Sequence, residues 1–321
     1  MIILSNDCNS IEVQNNTYVI TAGSSYLDID AYACCVAMKE LLELKGERAI
    51  ACSSAVYNYS VAKSLIEEGQ VLNTLPDDVD ASGAKYIIVD VSDPDYIKDS
   101  VPLDRVSEVY DHHVGFEEYW KTRIGDKCCI EFIGAAATLI YREWKKADLQ
   151  GRMTPATARL LIAAILDNTL NLTSSNTTDE DIEAFRGLCI KGNVDGEWCS
   201  SYFYEVQSSV ESDLKNALFG DVKRITNNSV LPERVAQLCV WDAGQLLERL
   251  PDIRKWFSES PESWMINVID VKHQISYFVC DSFDHQNEIS KVFSVRFENG
   301  VAKNNISYLR KEIIKKTISC K

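Results

Sequence analysis

The sequence predicts an α/β fold. An N-terminal doubly wound, mainly parallel sheet is followed by a smaller C-terminal α+β domain, with the active site in the cleft between them. Three observations predict this. Strand-like and helix-like segments alternate through the first two thirds of the 321 residues, as parallel sheets require. From about Val210 that rhythm breaks into strand-like runs with helices between and after them. The length also exceeds the roughly 250–300 residues at which single cores stop growing.

In chain order, Thr17–Ala22 is a short β-rich run, and 30–44 is apolar at helical spacing through Ala33, Val36, Ala37, Leu41 and Leu44. Arg48–Cys52 reads as a strand and Val61–Glu68 as a helix. Lys85–Asp90 (KYIIVD) is a buried strand ending in an acid, and Arg105–Tyr110 is another, followed at once by Asp111. Helices are expected over 134–146, 154–165 and 178–189. Thr154 before Pro155, and Thr178 before Asp and Glu, are N-cap signals. Strands follow at 237–241, 263–271 and 274–280. The expected domains are 1–205 and 212–321, connected near Tyr204–Glu211.

The net charge of −15 repels nucleic acid and acidic membrane surfaces. The opening apolar run, MIIL, is too short for a signal peptide, and no later stretch reaches membrane-spanning length. A cytoplasmic location is expected. The 11 cysteines include no CxxC pair. The vicinal pairs Cys34-Cys35 and Cys128-Cys129 lie in apolar runs and read as buried, reduced thiols.

Acids sit at or just past the ends of four apolar segments: Asp28 and Asp30 after the first strand, Asp90 after KYIIV, Asp111-His112-His113 after EVY, and Asp167 after LLIAAIL. Ligands of open α/β sheets bind outside the carboxyl ends of the strands, so these loops would deliver five acids and two histidines to one place. Singly, each has a plainer explanation; Asp28 and Asp30, for example, suit the cap and first turn of a helix. Together they would repel one another unless cations neutralise them. Two divalent metals per chain resolve the conflict. Mixed oxygen and imidazole ligation suits Mn²⁺ best, with Mg²⁺ or Co²⁺ as substitutes. Such a pair can orient a phosphoryl group for in-line attack by bound hydroxide.

In this order the motifs resemble the DHH phosphoesterase superfamily: a DxD motif, an acid after a strand, the DHH tripeptide and an acid after an apolar helix. Further segments resemble its branch of manganese-dependent (family II) inorganic pyrophosphatases and exopolyphosphatases. These are Gly134-Ala-Ala-Ala-Thr138, the run Leu170–Asp179, Asp221-Val-Lys223, and Ser307-Tyr-Leu-Arg310-Lys311. The resemblance implies that Asp28 and Asp90 bind the first metal. It implies that Asp30, Asp90, His112 and Asp167 bind the second, with Asp90 bridging. Asp90 and His113 would be catalytic, His113 contacting phosphate, and Lys223, Arg310 and Lys311 would hold the substrate from the second domain.

The chain departs from that pattern at Ser24, where the pyrophosphatases place a metal-binding histidine, and at Leu27, usually a small residue or proline. Tyr308 and Leu309 also separate Ser307 from Arg310, so the clamp is expected to be displaced. The glycine-rich run ending in histidine of the superfamily's oligonucleotide phosphodiesterases is absent; His273 and His285 read as surface or strand-edge residues. The resulting expectation is hydrolysis of phosphoanhydrides, exopolyphosphatase-like first and pyrophosphatase second, on polyphosphate or pyrophosphate. A cyclic-nucleotide or short-oligonucleotide phosphodiesterase and a non-catalytic regulatory relative are the further alternatives. A homodimer is left open.

Overall fold

The first sheet holds β1 Thr17–Thr21, β2 Arg48–Ala51, β3 Lys85–Val89, β4 Val106–Asp111 and β5 Cys128–Ile130, and β-branched and aromatic residues dominate its three central strands β1, β3 and β4. The structure, a computed structural model, describes residues 17–23, 27–226, 228 and 230–318. The order of this sheet is β2-β1-β3-β4-β5, with every pairing parallel. Alternate residues point to opposite faces. Ile20, Ile87 and Val89 join one core, whereas Val19, Tyr86 and Ile88 join the other with Trp120 and Ile97. Both faces are therefore covered, as a doubly wound sheet demands.

The helices of this half are α1 Ile29–Leu44, α2 Lys63–Glu68, α3 Pro94–Ile97, α4 Glu117–Ile124, α5 Ala136–Lys146, α6 Pro155–Asn168, α7 Asp179–Gly192 and α8 Gly196–Ser212. Helix α1 is buried along most of its length and packs against α5 and α6. The threonine caps act as predicted. Thr154 accepts the Thr157 N–H, and Thr178 forms a capping box with Asp181. The expected domain connection falls within α8. Tyr202, Phe203 and Val206 belong to the first core and Val210 to the second.

The second half holds α9 Leu214–Gly220, β6 Lys223–Arg224, β7 Arg234–Val240, α10 Gly244–Glu248, α11 Leu250–Phe257, β8 Trp264–Asp270, β9 Ile275–Cys280, α12 Phe283–Phe293, β10 Phe297–Glu298, β11 Val301–Asn304 and α13 Arg310–Ile318. Its sheet runs β10-β11-β9-β8-β7-β6 and is mixed, parallel between β7 and β8 and antiparallel elsewhere. Cys239, Trp241, Ile269, Val271 and Leu309 pack onto the first core. The ends of β7 and β8 and the start of α13 thus face the first domain.

Some expectations change. Helices α3 and α4 and strand β5 carry too few apolar residues at regular spacing to be read in advance. Cys34 and Cys35 are buried, but Cys128 and Cys129 are half-buried because β5 is an edge strand. Every described cysteine is a free thiol. His285 lies on α12, half-buried against the Val230 carbonyl, not at a strand edge. No helix among the described residues is long and apolar enough to cross a membrane.

Candidate metal centre

Strand β1 lies between β2 and β3, so the chain leaves its carboxyl end toward one neighbour and later returns on the other side. That switch point is where loops diverge and leave a crevice. The β1–α1 loop brings Asp28 and Asp30 there. Asp28 does cap α1, its Oδ1 accepting the Ala31 N–H at 3.0 Å. The next N–H, of Ile29, is held by Ser60 Oγ at 3.1 Å. Asp30 is fully buried. Its two oxygens each accept a backbone N–H at 2.8 Å, from Ala136 and Ala137 at the start of α5. It thus sits at the positive ends of two helices. Burial, and then the charge of Asp28, still push its pKa up to about 7 against those hydrogen bonds.

Asp90 follows β3 with a left-handed backbone, φ 57°, which a non-glycine residue adopts at a cost of roughly 1–2 kcal/mol. Its N–H extends the ladder to the Tyr110 carbonyl at 2.8 Å. Its Oδ1 is buried without a hydrogen-bond partner, 3.5 Å from His112 Nε2 and 3.9 Å from His113 Nδ1. Burial first, then Asp30, Asp28 and Asp111, raise its pKa well above the carboxylate range.

His112 is buried, with Nδ1 3.3 Å from the Ile133 carbonyl. A proton on Nδ1 leaves the Nε2 lone pair aimed at Asp90, the usual arrangement of a metal-binding imidazole. Burial, His113 and Lys311 all disfavour its protonation. His113 is exposed and turned by Asp111, whose Oδ1 lies 2.9 Å from its Nδ1. Burial opposes ionisation of Asp111, but hydrogen bonds from His113 and Ser92 hold its pKa below the ordinary value. Its Oδ2 is a second buried oxygen without a partner.

Asp167 lies near the end of α6. Burial, then Asp28 and Asp30, raise its pKa to about 7, and a hydrogen bond with the Tyr202 hydroxyl pulls the other way. Past α6, Leu170, Asn171 and Leu172 all have positive φ, at 50°, 59° and 63°. This left-handed turn is closed by the Asn171 N–H on the Leu166 carbonyl at 2.7 Å and the Leu172 N–H on Thr169 Oγ1 at 3.0 Å.

From the second domain, Lys311 stands where Asp90, Asp30 and Asp111 act on its amine. Partial loss of hydration lowers its pKa and those acids oppose the shift. Lys223 is likewise lowered by partial loss of hydration and by Arg310, with Asp221 and Asp28 opposing. Arg310 departs from the clamp expectation. Its side chain is buried and its guanidinium is closed on Asp221, Nη2 to Oδ1 at 2.8 Å and Nη1 to Oδ2 at 3.1 Å. The structure therefore brings together Asp28, Asp30, Asp90, Asp111, His112, His113 and Asp167, with Lys223 and Lys311 facing them. Ser24 lies outside the described residues.

Tyr202, Ser60 and the Ile133 carbonyl were missed in the sequence. Tyr202 is buried on α8, and its hydroxyl sits between Asp167 and the Ser60 carbonyl, 3.0 Å from the latter. Nothing in a helical run such as SYFYEV marks one aromatic as a partner of a distant acid. A second acidic and imidazole group, Asp242, Asp270 and His273, is closed by its own bonds. Asp270 accepts from the Ala243 N–H and binds His273 Nδ1, and Asp242 pairs with Lys272.

Two relatives from Staphylococcus carry the name "probable manganese-dependent inorganic pyrophosphatase". The one from S. aureus (strain JH9) is 23% identical over 303 residues, covering 89% of this chain and 92% of that protein. The one from S. epidermidis (strain RP62A) is 23% identical over 260 residues, covering 78% and 79%. Over most of its length this chain is thus similar to proteins named as manganese-dependent inorganic pyrophosphatases. A solved Methanococcus jannaschii structure, that of a "putative family II inorganic pyrophosphatase", shares the fold. It superposes with a TM-score of 0.65 at 17% identity, covering 94% of this chain and 98% of that one. No family model matches the chain.

Proposed function

We propose that this chain is a metal-dependent hydrolase of phosphoanhydride bonds. The observation that carries the reading is the buried, partnerless Oδ1 of Asp90, set among acids and a neutral imidazole. Such a group is costly to bury, and a cation at that position would relieve it. Asp28, Asp30, Asp90, His112 and Asp167 would hold two divalent cations, Mn²⁺ by the chemistry of mixed oxygen and imidazole donors. Bound there, the cations would supply Lewis acidity toward phosphoryl oxygens and activate water for attack.

The remaining work falls to the chain's own residues. His112 Nδ1–H is anchored on the Ile133 carbonyl, which keeps Nε2 free. Asp111 fixes His113, leaving the exposed ring edge to meet a phosphate oxygen. Lys223 and Lys311 face the acids from the other domain and would balance charge on the transferring and leaving phosphates.

The relatives' names support pyrophosphate as substrate. Longer polyphosphate is the second reading, favoured by Ser24 in place of an imidazole ligand, which leaves more of the binding to substrate contacts. A phosphate-release assay on pyrophosphate, tripolyphosphate, long polyphosphate, cyclic nucleotides and dinucleotides with Mn²⁺, Mg²⁺ or Co²⁺ tests both. Release from the anhydrides alone is expected. Tight Mn²⁺ binding with no turnover of any of them would point to a non-catalytic relative.

Two results should accompany the metal. Asp30 and Asp167, raised to about 7, retain protons in the metal-free fold that the unfolded chain releases near pH 4. Metal-free stability should fall as pH rises from about 4 to about 7 through these two groups, and Asp90, raised well above the carboxylate range, carries the fall further. Mn²⁺ affinity should rise through the same window, with proton release on binding. Calorimetry in buffers of different ionisation enthalpy measures this, and a pH-independent affinity without proton release would contradict it. Tyr202→Phe should weaken Mn²⁺ binding about tenfold by freeing Asp167, at a stability cost of about 1 kcal/mol. Unchanged metal affinity would reduce Tyr202 to a packing residue.

A further inference from the structure

The second domain offers two lysines to the acids, and each adjoins one member of an ion pair between a buried arginine and a half-buried aspartate. Asp221 lies two residues before Lys223, and Arg310 immediately precedes Lys311. Asp221 and Arg310 meet in a fork: Nη2 on Oδ1 at 2.8 Å, Nη1 on Oδ2 at 3.1 Å, and Nη1 also on the Asp221 and Val235 carbonyls. Paired donors on paired acceptors fix direction as well as distance. The Arg310 N–H is held by Gln237 Oε1 at 2.5 Å. The start of α13 is thus stitched both to β7 and to the segment leading into β6. Among the described residues, neither Lys223 nor Lys311 forms an ion pair of its own, whereas every hydrogen bond recorded for the Arg310 guanidinium goes to Asp221 or Val235.

We infer that Arg310 and Asp221 form an internal lock that aims Lys223 and Lys311 at the substrate phosphates, and that Arg310 itself is a positioning residue, not a phosphate ligand. The inference rests on the phosphoanhydride reading above. Its physical basis is the flexibility of lysine: four rotatable carbons carry a point charge, so the amine is only as well placed as the backbone that bears it. A pair joining the two backbones, one residue from one lysine and two from the other, fixes both at once.

The lock makes a prediction that direct contact does not. If Arg310 and Asp221 act through the lysines, their removal should matter only while the lysines are present. Full-length protein loaded with Mn²⁺ is titrated calorimetrically with imidodiphosphate, a pyrophosphate analogue with a P–N–P bridge. Low ionic strength keeps the residual metal-borne affinity measurable. Asp221→Asn and Arg310→Ala should each weaken analogue binding about tenfold in the parent, with Mn²⁺ affinity unchanged. In a Lys223→Ala/Lys311→Ala background the same changes should alter it by less than about twofold. Asp221→Asn preserves volume, so the test survives if Arg310→Ala fails to fold. A tenfold loss on Arg310→Ala in both backgrounds, or an Asp221→Asn variant that binds as the parent does, overturns the lock and returns Arg310 to the phosphate. A parent that binds Mn²⁺ but no analogue overturns the phosphoanhydride reading itself, and the lock with it.

Discussion

Asp90→Asn should lower phosphate release by about 10³-fold or more, while the metal-free protein becomes more stable. Both effects come from one geometry. The Asp90 carboxyl is enclosed, crowded by Asp28, Asp30 and Asp111, and carries an oxygen with no partner. Without a cation, ionising it is unfavourable, so a neutral isostere relieves repulsion. Asparagine also tolerates the left-handed backbone at this position. With cations, the loss is the reverse: the charge proposed to join the two metals is gone. Thermal melting with and without Mn²⁺, beside the hydrolysis rate, separates the halves. A variant that loads two metals and keeps a tenth of the parental rate would remove Asp90 from the centre of the site. An unchanged metal-free melting temperature would mean that the clustered charges do not strain the fold.

The acids were legible in the sequence because each ends a segment with a strong period. KYIIV and LLIAAIL are apolar runs that must be buried, and an acid at such a boundary falls on the rim where strands and helices open. Three parallel strands and one helix then deliver their ends to the same side of the sheet. What orients the acids was not legible. Asp30 is held by backbone N–H groups 106 and 107 residues away, and a backbone donor has no residue signature. Tyr202 reaches the site from α8 only because that helix passes from one core to the other. The partner of Arg310 was not legible for a related reason. A basic dipeptide looks like two equivalent charges, but on a helix adjacent residues point about 100° apart. One side chain turns into the protein to meet Asp221, and the next faces the cleft. Composition cannot distinguish those directions.

Gly134→Ala should lower stability by about 3 kcal/mol and weaken Mn²⁺ binding by roughly tenfold, although the added group is a single methyl. A Cβ built at Gly134 would lie 2.6 Å from Asp181 Oδ2 and 2.6 Å from Thr169 Cγ2. Neither neighbour can move freely. Asp181 is fully buried. Its carboxylate takes the Gly134 N–H at 2.9 Å, the Thr138 hydroxyl at 2.6 Å, and the N–H and hydroxyl of Thr178, both at 2.8 Å. Thr169 is fully buried two residues after Asp167. The conflict is therefore resolved by the start of α5, which shifts outward. That same turn presents the Ala136 and Ala137 N–H groups to Asp30, so the shift withdraws the two donors that favour its ionised form. Steric strain and loss of metal affinity then share one cause, and this separates the change from a general loss of packing. Gly151→Ala is the control, since a Cβ there meets nothing within 4 Å and should leave both measurements unchanged. A Gly134→Ala variant that melts about 5–10 °C lower yet binds Mn²⁺ like the parent would show that α5 supports the fold without supporting Asp30.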